Sequence, residues 1–117
     1  MQDDTTTVGQ LRQMVRRFVD ERDWRQFHDL KNLSMAIATE AAELMEHFRW
    51  RTPEEARREA LSAEAADEIR DEVADVVCFV LSFANAMELD VASALSSKMA
   101  KNESKYPRDR FRGTWKG

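Results

Sequence analysis

The chain predicts an all-α fold, a four-helix-bundle-like domain with one extra short helix, on three observations. It contains only 3 glycines and 2 prolines in 117 residues, too few for the tight turns of a sheet-rich fold. Four segments repeat their apolar residues at helical spacing, and none alternates with the two-residue period of a strand. Ser, Thr, Asp or Asn stands ahead of each segment, where a helix needs a side-chain acceptor for its free N–H groups.

Taken in order, residues 1–6 are a polar lead, and Thr7-x-x-Gln10 reads as a capping box. Val8, Leu11, Val15, Phe18 and Val19 then share a face, which carries the first helix to about Glu21. The period breaks over residues 22–32, where Trp24, Phe27 and His28 cluster in a loop or short helical turn. Asn32 is the expected cap of the second helix, which runs to about His47 or Trp50. Thr52-Pro53-Glu54-Glu55 starts a short charged helix reaching about Ala60, since Thr suits the N-cap and Pro the first helical position. Ser62 is expected to cap the third long helix, which extends to about Met87 with Ile69, Val73, Val76, Val80, Phe83 and Met87 on one face. Asp90 caps the last long helix, with Val91, Leu95 and Met99 on one face, ending before Pro107. Residues 1–107 form the expected domain, and residues 108–117 a basic tail without a period.

Composition excludes several roles. The net charge is −4 and the basic residues are dispersed, so no footprint for a nucleic-acid polymer stands out. The longest apolar run, residues 73–84, is interrupted by Asp75 and too short to span a membrane. The N-terminus lacks the basic start and apolar core of a secretory signal. Cys78 is alone, so no disulfide forms within the chain and the expected compartment is the cytoplasm. Long apolar helices in so small a domain suggest a homo-oligomer that completes the core.

Chemistry is suggested by acids placed where core residues belong. On the second helix Leu33, Ile37, Leu44 and Phe48 fall within roughly 60° of one another, and Glu40 lies inside that face with Glu43 at its edge. On the third long helix Glu72 and Asp75 border the apolar stripe at the same i, i+3 spacing, which sets two side chains side by side. A carboxylate on a core-facing stripe costs several kcal/mol unless it is neutralised. Four hard oxygen donors suit Mg²⁺ or Mn²⁺, and they converge if the two helices pack antiparallel. Solvated or salt-bridged edge residues are the plainer reading of any single Glu. The chain has no Glu-x-x-His, which argues against a ferritin-like di-iron bundle. Lys98, Asn102 and Lys105 share one face of the last helix, either as a phosphate contact or as a solvated basic end that complements the helix dipole.

The pattern Glu40-x-x-Glu43, then Glu72-x-x-Asp75, resembles that of the MazG-like all-α nucleoside triphosphate pyrophosphohydrolases. The flanking stretches at residues 21–28, 40–50, 71–77 and 97–107 resemble the dCTP pyrophosphatase branch. The resemblance implies a MazG-type fold and cleavage of a nucleoside triphosphate between its α and β phosphates, giving the monophosphate and pyrophosphate. It implies that Glu40, Glu43, Glu72 and Asp75 are the catalytic and metal-binding residues, with Mg²⁺ (or Mn²⁺) as cofactor. It further implies that Trp24 and Trp50 contact the base, that His28 contacts base or phosphate, that Lys98, Asn102, Lys105 and Tyr106 contact triphosphate or sugar, and that the chain forms a homodimer or homotetramer. Two positions depart from the dCTP-preferring pattern: Val15 replaces a His and Phe79 a Tyr, and both changes remove polar contacts near the expected base pocket. The alternatives that stay open are a related helical enzyme acting on dUTP or phosphoribosyl-ATP, and a non-catalytic nucleotide-binding or dimerisation module.

Overall fold

A computed structural model describes residues 1–116. Among them the chain is helical without a strand: α1 (Val8–Glu21), a 3₁₀ turn (Arg25–Phe27), α2 (Leu30–Glu46), α3 (Pro53–Leu61), α4 (Ala66–Met87), α5 (Val91–Lys105) and α6 (Arg108–Phe111). The framework is α2 packed along α4, with α1 against the C-terminal half of α4 and α3 against it more lightly.

Most helix starts follow from local hydrogen bonding. The Thr7 hydroxyl accepts from the Gln10 N–H at 3.1 Å, and the Gln10 side chain accepts from the Thr7 N–H at 2.7 Å, so the capping box forms. Thr52 accepts from the Glu55 N–H at 3.2 Å, with Pro53 at the first helical position. Asp90 accepts from the Ser93 N–H at 2.9 Å. At α2 the expected cap is corrected: Asp29, not Asn32, is the N-cap, and its carboxylate takes the Asn32 N–H at 2.8 Å. The Asn32 amide instead donates to the Phe27 carbonyl at 3.1 Å, which ties the 3₁₀ turn onto α2. Ser62 likewise closes α3 instead of opening α4. Its hydroxyl accepts the Ala65 N–H at 3.2 Å, and α4 begins at Ala66 without a side-chain cap. The tail is not featureless, since Arg108–Phe111 makes a helical turn and Phe111 meets Tyr106 edge-on at 5.2 Å.

The core is small. Leu33 is 1% exposed, and Val15, Val19, Leu81 and Ala84 are also buried. α1 is held to α4 by Asn85, whose side-chain oxygen accepts from Arg12 at 3.0 Å and Arg16 at 3.1 Å, while its amide donates to the Arg12 carbonyl at 3.1 Å. α4 ends in a Schellman arrangement: the Leu89 N–H bonds the Ala84 carbonyl at 2.9 Å and the Glu88 N–H the Asn85 carbonyl at 3.3 Å. Glu88 therefore takes a left-handed conformation, φ 54°.

The apolar stripe read on α4 divides differently from expectation. Val73, Val77, Val80 and Met87 are each more than 40% exposed, whereas Leu81 and Ala84 are buried. A helix apolar on every side needs partners on every side, and a single chain supplies them on only part of α4. Beyond Glu88 the chain turns by about 101° into α5, which packs substantially on no other helix. Leu95 and Met99 consequently stand open to solvent. No single helix among the described residues is long and apolar enough to cross a membrane.

Candidate metal centre

The antiparallel pairing of α2 and α4 brings three of the four acids together. One carboxylate oxygen each from Glu40, Glu43 and Glu72 lies within 4.8 Å of the others. Glu40 and Glu43 sit one turn apart on α2, and Glu72 faces them from the first half of α4. Glu40 Oε2 and Glu72 Oε2 are buried and have no hydrogen-bond partner. Asp75, one turn on, is outside this tight group but close enough that its charge acts on both Glu40 and Glu72.

Crowding of like charges shows in the protonation of the cluster. Burial, a proton-sharing contact with Glu43 and repulsion from Glu43, Asp75 and Glu72 push the Glu40 carboxyl up to about 7. Glu72 is also raised, by burial first and then by the charge of Glu43, its contact with Glu43 and the charge of Asp75. His47 acts in the other direction on Glu72. Buried carboxylates with vacant lone pairs and no cation beside them are costly. A divalent cation taking oxygen ligands would satisfy both the charge and the unpaired oxygens, so the donor set fits one.

The remaining candidates are not gathered at this cluster. His28 is half-buried against Phe79, ring centroids 6.3 Å apart, and its Nδ1 is buried without a partner. Trp24 is 42% exposed and meets Phe18 edge-on at 5.8 Å. Trp50 is 90% exposed in a left-handed conformation, φ 64°, with only the Arg49 guanidinium 5.4 Å from its ring. Lys98, Asn102 and Lys105 ride on α5, away from the α2–α4 pair. Lys105 Nζ lies 5.4 Å from the Tyr106 ring, and Asn102 is half-buried beside Met99.

A model of the MazG-like family matches residues 35–116, a span holding all four acids. The chain belongs to the MazG-like family. It is 32% identical over 108 residues to dCTP pyrophosphatase 1 of Bos taurus, covering 92% of this chain and 64% of that protein. It is 34% identical over 101 residues to dCTP pyrophosphatase 1 of Homo sapiens, covering 86% and 59% respectively. The chain thus spans less than two thirds of the length of these relatives. A solved pyrophosphatase from Archaeoglobus fulgidus matches over 92% of this chain and 98% of its own, with a TM-score of 0.79 and 34% identity.

Two residues of this MazG-like chain emerge from the geometry and not from its sequence. His47 follows Glu43 by four residues, so the helical face it shares was a readable sign. It reads as a helix-end residue because α2 stops at Glu46. Ser82 is buried in α4 with its hydroxyl unpaired, a polar residue hidden in an apolar run. Cys78 is half-buried, and burial and then Asp75 raise its thiol, which disfavours the nucleophilic thiolate.

Proposed function

We propose that the chain is a Mg²⁺-dependent nucleoside triphosphate pyrophosphohydrolase that converts a deoxynucleotide, dCTP or a related or modified one, to the monophosphate and pyrophosphate. The observation that carries this reading is the convergence of Glu40, Glu43 and Glu72 around unpaired buried carboxylate oxygens, with Asp75 beside them. Membership of the family and the pyrophosphatase names of its relatives support the reaction. The relatives called dCTP pyrophosphatase support the substrate.

Glu40, Glu43, Glu72 and Asp75 would hold the metal, and Mn²⁺ suits the same hard donors. Once bound, it would neutralise triphosphate oxygens and lower the pKa of a water. The partly buried carboxylates themselves present oxygens to a cation, and an ionised member would accept a proton from the attacking water. Trp24, His28 and Trp50 are the proposed nucleoside contacts, and Lys98, Asn102, Lys105 and Tyr106 the proposed triphosphate and sugar contacts.

A second copy is part of the proposal, as a homodimer or homotetramer. The radius of gyration is 17.3 Å, against about 13 Å for a compact domain of this length. The exposed stripe of Val73, Val77 and Val80, the uncovered Leu95 and Met99, and a Trp50 held left-handed in solvent all support an apolar partner surface. Residues of α5 and Trp50 would then complete the site of a neighbouring copy. Residues 1–107 are taken as the catalytic domain, working in the cytoplasm on the precursor pool.

The test is pyrophosphate release from a panel of dNTPs and NTPs, 5-modified dCTP included, with Mg²⁺ and with EDTA. Metal-dependent release of pyrophosphate and monophosphate with a preference for one deoxynucleotide is expected. Diphosphate and phosphate as products would overturn the reaction. Preference for dUTP would move the substrate, and nucleotide binding without turnover would favour the non-catalytic module.

A further inference from the structure

Three basic side chains, His47, Arg49 and Arg51, follow the end of α2. Two are engaged: Arg49 bonds the Glu46 carboxylate at 2.6 Å and Arg51 the Glu59 carboxylate at 3.2 Å. The His47 imidazole is half-buried and makes no hydrogen bond or ion pair among the described residues. Its backbone keeps helical torsions, φ −64° and ψ −23°, so the register of α2 extends to it. It therefore lies one turn beyond Glu43 and two beyond Glu40, on the face that carries the acid cluster. Across the helix pair, its charge opposes the acids that crowd Glu72.

The site has a direction along the α2–α4 pair. His28, just ahead of α2, meets Phe79, one turn beyond Asp75 on α4, with ring centroids 6.3 Å apart. Glu40, Glu43 and Glu72 come next, and His47 closes the row at the opposite end. With His28 as a nucleoside contact at the first end, the phosphates of a nucleotide held at the acids run toward the second. His47 stands about 6 Å past Glu43 along the axis, a separation comparable to the length of a diphosphate. We propose that His47 donates a hydrogen bond to the two phosphates that leave as pyrophosphate, a contact supplied by the same chain as the acids. The assignment rests on the nucleotide reading of the acid cluster.

The chemistry of that end supports the contact. The leaving group is a polyanion beside a row of acids, and an N–H donor past the acids offsets the repulsion. Imidazole donates from both nitrogens when protonated and from one when neutral, so the contact survives in either state. The plainer role for His47 is structural, because a cation at a helix C-terminus is favoured by the helix dipole. The two roles separate by ligand. Support of the helix end acts on stability and on every ligand alike, whereas a leaving-group contact acts on pyrophosphate and spares the nucleoside.

The test titrates pyrophosphate and dCMP separately into the intact protein in Mg²⁺ by calorimetry, for wild type, His47→Leu and His47→Gln, beside steady-state turnover of dCTP. The two products divide the substrate at the bond that is cut, so each reports one end of the site without turnover. His47→Leu is expected to weaken pyrophosphate by about tenfold, the scale of one charge-assisted hydrogen bond, and to leave dCMP within about twofold. His47→Gln keeps an N–H donor and is expected to retain part of the affinity; it carries the test if the leucine variant is unstable. In turnover the same loss appears as a higher inhibition constant for pyrophosphate and a higher KM. Equal weakening of both products, or a lower melting temperature with pyrophosphate affinity unchanged, would overturn the contact in favour of the structural role. Failure of wild type to bind pyrophosphate would also overturn it, and turnover of dCTP in that case leaves the proposed reaction standing. Pyrophosphate binding that depends on His47 in a protein with no turnover on any triphosphate supports the contact and removes the reaction.

Discussion

Replacing Glu40 by Gln should stabilise the metal-free protein at neutral and alkaline pH and abolish its response to metal. The Glu40 carboxyl moves from 4.5 to about 7 on folding, because burial and its acidic neighbours penalise the ionised form. Each pKa unit is about 1.4 kcal/mol, so the full displacement sets an upper bound of about 3.5 kcal/mol. Water screening at a carboxyl that is partly exposed reduces this to about 1–2 kcal/mol. The sign follows from proton binding. Between pH 4.5 and 7 the folded protein holds a proton that the unfolded chain has released, so stability falls as pH rises through that window. Above it the penalty is complete, and below 4.5 it is absent. Gln cannot ionise and escapes the penalty. Metal-free Glu40→Gln should melt about 3–8 °C higher than wild type at pH 8, and the gap should close towards pH 4.5. Millimolar Mg²⁺ should raise the wild-type melting temperature and leave the variant nearly unmoved. Scanning calorimetry at one protein concentration, in EDTA and in Mg²⁺, measures all four values. A variant less stable than wild type at pH 8 in EDTA, or a gap that ignores pH, would refute the account of a strained anionic cluster.

Glu43→Gln and Asp75→Asn should each lower pyrophosphate release by more than about a hundredfold while the helical circular dichroism stays intact; wild-type rates in either would remove that acid from the site. Light scattering should give a mass that is a multiple of 13.6 kDa, and Val77→Glu, which puts a charge into the exposed α4 stripe, should lower it; a 13.6 kDa species alone in wild type would sink the oligomer. Glu88→Gly should raise the unfolding free energy by about 0.5–1 kcal/mol, because Gly relieves the left-handed cap at some entropic cost; chemical denaturation showing a loss would mean that the Glu88 side chain contributes more than the backbone strain costs.

Helices and their starts were legible where a side chain caps its own helix. Thr7, Thr52 and Asp90 cap as their spacing indicates. Asn32 and Ser62 were misleading because each stands within a few residues of a competing acceptor or a helix end, and the backbone geometry of the turn decides which one is used. The acid pairs were legible for a different reason: a carboxylate at a core position contradicts burial, and i, i+3 spacing survives any detail of packing. What the pattern could not convey was which side of α4 faces which neighbour. Its residues are apolar nearly all round, so the periodicity of Val73, Val76 and Val80 carries no information about whether α1, α2 or another copy covers them. Ser82 stayed hidden for the same reason, since its burial depends on the rotation of α4.

The arrangement also says why the acid site and the uncovered surface belong to one design. Clustered carboxylates are tolerated only on a helix pair rigid enough to keep them apart from salt-bridging side chains. The five ion pairs among the described residues involve none of the four acids. α4 supplies that rigidity as an uninterrupted 22-residue helix. Much of its length is nevertheless unsupported by its own chain, and α1 braces only the C-terminal half through Asn85. The middle of α4, residues 72–80, which carries Glu72 and Asp75, has α2 on one side and the exposed Val73, Val77 and Val80 on another. Covering that stripe would fix the part of α4 that repulsion within the cluster pushes outward. Assembly and metal binding should therefore reinforce each other: Val77→Glu should weaken Mg²⁺ binding although residue 77 carries no ligand atom. Mg²⁺ titration of the two proteins at equal concentration measures the coupling, and identical metal affinities in a dissociated variant would show the acid cluster to be complete within a single chain.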